Sequence, residues 1–82
     1  MNKQVCAIIG VGPGNGLSFA KKFSKEGYCV ALCSRNLKRL DEYENQIDDA
    51  YPFEYDVTDI KAADKAFSEI RKKLGPVSVL II

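Results

Sequence analysis

Gly10, Gly12, Gly14 and Gly16 fall within seven positions, directly after the apolar run Val5–Ile9 and directly before a helical pattern carrying Leu17, Ala20 and Phe23. An apolar run without alternation suits a central parallel strand buried on both faces. Glycines after it permit a tight turn and let other groups approach the backbone with no Cβ in the way. The unpaired N–H groups and dipole of the following helix favour negative charge, so the segment has the context of a phosphate-binding turn.

Strand and helix patterns alternate through the rest of the chain. Gly27 offers a C-terminal cap to the first helix. Residues 28–33 form a second apolar run, after which Asn36 caps a helix whose apolar face is Leu37, Leu40 and Ile47. Residues 51–55 read as a third, shorter strand. Asp59 then caps a third helix with Ile60, Ala63, Phe67, Ile70 and Leu74 at helical spacing, stopped by Gly75 and Pro76. Residues 77–82 are a fourth strand, apolar at every position but Ser78. Right-handed crossovers step the first three strands in one direction, with two helices on one face. A fourth strand returning to the other side of the first gives an α/β, Rossmann-type parallel sheet of order 3-2-1-4. It has three layers, and its crevice lies at the carboxyl ends of the first and fourth strands. The chain is expected to be the N-terminal half of a dinucleotide-binding domain, truncated after its fourth strand.

Spacing within the loop selects among nucleotide patterns. A Walker loop is excluded, because Leu17-Ser18 follows Gly16 where lysine and a hydroxyl residue are required. The strict G-x-G-x-x-G form counted from Gly10 fails at Asn15, whereas G-x-x-x-G-x-G fits Gly10, Gly14 and Gly16. At this point the sequence resembles the short-chain dehydrogenase/reductase family, with Ile9 in the place where that family usually has threonine. The loop residues expected to hold a cofactor's pyrophosphate are Gly10, Gly12, Pro13, Gly14, Asn15 and Gly16.

NAD-binding folds of this type carry an acid about 20 positions past the glycines, where it accepts from the ribose 2′-hydroxyl. Here Ser34, Arg35 and Asn36 occupy that region. A carboxylate repels a 2′-phosphate, while a guanidinium forms charge-assisted, bidentate hydrogen bonds with it. NADP(H) is therefore expected over NAD(H). Lys38 and Arg39 add positive field nearby, and by themselves read as a solvated helix face. After the third strand, Asp56-Val57 resembles the family's acid-apolar pair beside the adenine; without that resemblance, Asp56 reads equally as a turn former.

The resemblance implies hydride transfer between a nicotinamide and a small-molecule carbonyl or alcohol substrate. The family's Tyr-x-x-x-Lys pair is not found here, since Leu32, Ile47, Tyr55 and Asp59 stand four places beyond the four tyrosines. No catalytic residue is assigned, and the segment alone is expected to be inactive. A bare, nearly all-apolar fourth strand predicts a fragment of a longer enzyme or a chain that pairs with another, a homo-oligomer included.

Two rivals stand beside this reading. Val11-Gly12-Pro13-Gly14-Asn15-Gly16 also resembles the glycine motif of class I methyltransferases that hold S-adenosylmethionine, although Gly10 and Ser34 replace the acids normal there. A non-catalytic dinucleotide sensor or interaction module is the other. Composition narrows the remaining classes. Twelve basic against eleven acidic residues leave a net charge of +1, which argues against nucleic acid as a partner. The absence of histidine excludes a histidine base and histidine-ligated zinc within the segment. Cys6, Cys29 and Cys33 sit in apolar runs and are expected to be buried free thiols. No run is long enough for a membrane span, and no signal-peptide pattern is present, so a cytoplasmic location is expected.

Overall fold

The computed structural model describes residues 3–11 and 15–82, with only the backbone described at Asn15. Strand β1 (Val5–Ile9) is buried at all five positions, which requires cover on both faces. Cys6 and Ile8 point into one hydrophobic layer, and Val5, Ala7 and Ile9 into the other. β2 (Cys29–Ser34) lies parallel to β1, paired from Val5↔Cys29 to Ile9↔Cys33. β3 (Ala50–Glu54) pairs with β2, and β4 (Val77–Ile81) with the other side of β1. The sheet is therefore parallel, in the expected order β3-β2-β1-β4, with the fourth strand returned to the other side of the first.

Helices α1 (Asn15–Lys25) and α2 (Leu37–Glu44) cover one face, through Leu17, Ala20 and Phe23 of the first and Leu40 and Tyr43 of the second. α3 (Ile60–Lys73) covers the opposite face with Phe67, Ile70 and the adjoining Leu74, against Ala31, Cys33 and Phe53. All three cysteines are free and buried. Burial pushes the Cys6 thiol up to about 11 and the Cys33 thiol up to about 12, so both stay neutral and unreactive near pH 7.

Several boundaries and faces differ from the sequence reading, each for a local reason. Tyr28 belongs to the end of α1 rather than to β2. Its N–H donates to the Phe23 carbonyl at 3.0 Å and that of Gly27 to Ser24 at 3.0 Å, with Gly27 at φ +94°. This is a Schellman closure, and the Phe23 and Tyr28 rings meet edge-on at 5.1 Å as its hydrophobic contact. β2 consequently runs one residue later, to Ser34. β3 begins at Ala50 and ends at Glu54; its Pro52 is tolerated because β3 is an edge strand.

Leu37 and Ile60, placed on apolar faces by their spacing, are 41% and 90% exposed. Each opens a helix that starts at the carboxyl edge of the sheet, with no sheet left beneath the first turn. Tyr43 and Ala66 are buried instead. Ile47 is buried as expected, but beyond the end of α2. The pairing of β4 with β1 slips between Val5↔Val77 and Cys6↔Val79, so Ser78 is the extra residue of a bulge. Past it the side-chain alternation reverses: Val77 joins the α3 layer, Val79 and Ile81 the α1–α2 layer. Leu80 is left 48% exposed on the edge strand.

The amino ends of the strands are tied by polar contacts around Asp49, a non-glycine residue at φ +58°. Its carboxylate accepts from Tyr51 Oη at 2.8 Å and pairs with Lys3 Nζ at 2.7 Å. The carboxyl ends carry the features described next.

Ile70 and Ile60 provide a direct test of how α3 is seated. Ile70→Val, in the fully buried layer, is expected to cost about 0.5–1.5 kcal/mol in urea unfolding. Ile60→Val is expected to stay within about 0.5 kcal/mol of the unmodified protein, as exposed substitutions do.

Candidate functional site

Three strand ends converge at the carboxyl edge. As the chain leaves β1, the N–H groups of Gly10 and Val11 both donate to the Cys33 carbonyl, at 2.9 and 3.1 Å. The turn is thus pinned to β2 before it departs. Gly10 holds φ +78°, a conformation in which side chains are strained, and open space surrounds the position a Cβ would take. Gly16 serves a different need, since a Cβ there would lie 3.1 Å from the Val11 Cα. Glycine lets the first turn of α1 press against the turn after β1. That turn of α1 contains no acid, so the amides and dipole at its start have no carboxylate of their own to meet. Gly12, Pro13, Gly14 and the side chain of Asn15 lie outside the described residues.

At the end of β2, the Ser34 carbonyl accepts from Tyr55 N–H at 3.0 Å, which carries the β2–β3 ladder one step beyond β3. Ser34 Oγ accepts from Asn36 N–H at 3.3 Å, and Asn36 Oδ1 accepts from Arg39 N–H at 3.3 Å. Asn36 is therefore the N-cap of α2. At the end of β3, Asp56 Oδ1 accepts from Thr58 N–H at 2.9 Å and from Thr58 Oγ1 at 2.6 Å. Those two bonds, the hydroxyl first, hold the Asp56 carboxyl below its ordinary range, and the positive charge of Arg35 adds to the effect. Asp59 caps α3 by accepting from Lys61 N–H at 3.0 Å.

These ends enclose an open cleft of about 320 Å³ lined by Gly10, Val11, Ser34, Arg35, Arg39, Tyr55, Val57 and Thr58. One residue or more from each of the three sequence signals reaches it. Asp56 does not; it lines a neighbouring groove with Glu54, Asp59 and Lys61, and Arg35 stands between the two, lining both. Asn36 and Gly16 act behind the wall, by capping and by close approach. Tyr55, Thr58 and Val11 were not singled out from the sequence. Only Thr58 had a legible signal, the Asp-x-Thr spacing that closes the turn on Asp56.

The cleft can accept a flat apolar group against the exposed Val57, and an anion between the turn after β1 and the two arginines, Arg35 and Arg39. Among the described residues no cluster of histidine, cysteine or acid is arranged to hold a metal, and no helix is long and apolar enough to cross a membrane.

Comparison with known proteins agrees with this geometry. The sequence model of the short chain dehydrogenase family matches residues 4–82. An uncharacterized oxidoreductase of Mycobacterium tuberculosis is 30% identical over 88 aligned positions, which cover 100% of this chain and 35% of that protein. Among solved structures, the L-sorbose reductase of Gluconobacter frateurii, complexed with NADPH and L-sorbose, superposes with a TM-score of 0.86 at 26% identity. The match covers 98% of this chain and 32% of that one. A variant actinorhodin polyketide ketoreductase with NADPH gives a TM-score of 0.79 at 28% identity, over 98% of this chain and 33% of that one. The chain thus spans about a third of the length of the relatives it matches.

Two local predictions follow from the geometry. Alanine is the better helix former by about 1 kcal/mol, yet Gly16→Ala is expected to lower the melting temperature, because the added methyl meets backbone that is already pinned. A rise would show that the close approach is not needed. Asp56, whose carboxyl is held low in the folded state, contributes stability that is present above its unfolded value and lost as pH falls through its folded value. Thr58→Val removes the first of its two donors. The carboxyl should then titrate closer to the ordinary carboxylate range, as read from its carbon chemical shift.

Proposed function

The chain belongs to the short-chain dehydrogenase/reductase family, and on that footing we propose that its cleft seats the adenosine half of NADP(H) in a reductase acting on a small carbonyl or alcohol substrate. The observation that carries the reading is the convergence of Gly10, Ser34, Arg35 and Val57 on one cleft at the carboxyl edge. The start of α1 offers amides to the pyrophosphate, with Gly10, Gly12, Gly14 and Gly16 keeping side chains out of the way. Pro13 and Asn15 complete that loop in the sequence.

Ser34 stands in the region where an NAD-specific protein has its ribose-binding acid and carries no charge to repel a phosphate, and Arg35 follows it. Asp56 keeps an ionised carboxylate at neutral pH, with both of its bonds to Thr58 ending on Oδ1. It lines the neighbouring groove, and of the Asp56-Val57 pair only Val57 lines the cleft. Asn36 contributes by holding the start of α2, its side-chain oxygen being committed to Arg39 N–H.

NADP(H), when bound, supplies the hydride exchanged with a carbonyl carbon. What these residues do is bind and orient the end of the cofactor remote from that exchange. The two structural relatives named above were solved with NADPH, and their names describe a sugar reductase and a ketoreductase. The S-adenosylmethionine reading has no comparable support: uncharged Ser34 ends β2, where that chemistry wants an acid for the ribose hydroxyls.

Calorimetric titration with NADPH and NADH tests the proposal. A charge-assisted bond to the 2′-phosphate is worth about 1.5–3 kcal/mol, so NADPH is expected to bind about ten- to a hundredfold tighter. Arg35→Gln should remove much of that preference. Equal or tighter binding of NADH by the unmodified protein would refute the NADP(H) assignment.

A further inference from the structure

We infer that the groove between the outer edge of β3 and the end of α3 is a second binding site, which takes a small aromatic carboxylate. The inference goes beyond the cofactor reading and does not depend on it.

The groove has a volume of about 430 Å³ and is lined by Tyr51, Pro52, Phe53, Lys73 and Leu74. That volume falls in the range of about 300–1,000 Å³ in which small-molecule sites occur. Its lining follows the pattern of such sites, an apolar wall with one charged group to fix orientation. Phe53 and Leu74 belong to the hydrophobic layer under α3, so the floor is rigid core rather than loop.

Tyr51 supplies an open ring. It is 42% exposed, yet its polar tip is committed: Oη donates to Asp49 Oδ1 at 2.8 Å, and Asp49 is in turn paired with Lys3. The ring is thereby held in one place with its apolar surface uncovered. Offset stacking on such a surface favours a flat aromatic partner.

Lys73 supplies the charge. Three cations, Arg71, Lys72 and Lys73, close α3, and the macrodipole accounts for cations in that turn. It does not account for the direction Lys73 takes, with Nζ 5.7 Å from the centre of the Phe53 ring. The sole ion pair among the described residues is that of Lys3 with Asp49, so no carboxylate of the protein holds Lys73 within ion-pair distance. An anion entering over Tyr51 meets a cation already turned toward the groove.

The edge of β3 argues against a second copy of the chain as occupant. Val30 N–H donates to the Asp49 carbonyl and Tyr55 N–H to the Ser34 carbonyl, so alternate residues from Asp49 to Tyr55 turn their polar groups toward β2. Pro52 falls on the outward set, where it has no N–H to offer. A further strand cannot continue the ladder through that position, and the groove is left to a ligand that meets side chains.

Amide chemical-shift titration with naphthoate, and with its neutral counterpart naphthylmethanol, tests the site in the unmodified protein, K73Q, Y51A and Y51F. Circular dichroism confirms that each variant is folded. Naphthoate is expected to bind saturably with a Kd of about 1 mM, the affinity of a ligand of its size, with the largest changes at Tyr51, Phe53, Lys73 and Leu74. K73Q should weaken naphthoate by up to about fivefold, the ceiling for an exposed ion pair, and leave naphthylmethanol unaffected. Y51A should weaken both by about two- to tenfold through loss of the stacked ring, with Y51F, which keeps the ring and loses its anchor, in between. Saturating NADPH should leave these changes in place, because the cofactor cleft lies at the other edge. Naphthoate shifts centred on Gly10 and Val57, absence of saturable shifts in the groove, or equal affinity for the neutral counterpart would overturn the site and leave the NADP(H) assignment standing.

Discussion

The structure depends on how closely α1 can approach the point where β1 and β2 run side by side. Two amides, those of Gly10 and Val11, share one acceptor in the Cys33 carbonyl, and Gly16 sets the next turn of chain against the Val11 backbone. A side chain at Gly10 would be strained by its left-handed backbone, and one at Gly16 would collide with main chain. Satisfying both constraints aims the positive end of α1 across the carboxyl edge of the sheet. The same residues that close the core thus also shape the turn that borders the cleft.

The neighbouring strand ends inherit their positions from that arrangement. β2 runs to Ser34 because its carbonyl still pairs, with Tyr55, and this brings the segments after β2 and β3 beside the glycine turn. Capping then converts strand ends into helix starts at fixed places. Asn36 and Asp59 each satisfy an amide of the helix that follows, and Asp56 closes a turn on Thr58. Charge is shared unevenly between the two spaces that result: Arg35 and Arg39 line the cleft, while Glu54, Asp56, Asp59 and Glu69 share the groove beyond Arg35 with Lys61 and Lys65.

The order of elements was legible in the sequence because each strand is apolar over a run of suitable length and each helix has a recognisable start or stop. The strand order was legible because handedness leaves few alternatives once the glycine turn fixes β1 as a central strand. What the periodicity missed lies at element ends. Leu37 and Ile60 satisfy helical spacing, yet spacing does not reveal that the sheet stops below them. Tyr28 has the composition of a strand residue and is taken by the cap of α1. Ser78 interrupts an apolar run as any polar residue might, and only the register shows it to be the extra residue of a bulge. In the site, Gly10, Ser34 and Arg35 follow from residue type and spacing and Val57 from the family resemblance, and the structure brings the four to one cleft. Asp56 falls on the far side of Arg35, because its turn bonds to Thr58 orient it there.

The central claim is that the nucleotide sits at the carboxyl edge, against the turn after β1. Amide chemical-shift mapping during titration with NADPH tests it most directly. The largest changes are expected at Gly10, Val11, Gly16, Arg35, Val57 and Thr58, while Lys3, Asp49 and Tyr51 at the opposite edge stay still. Saturable binding whose changes centre on the Asp49 edge, or that leaves Gly10 and Gly16 unmoved, would contradict it.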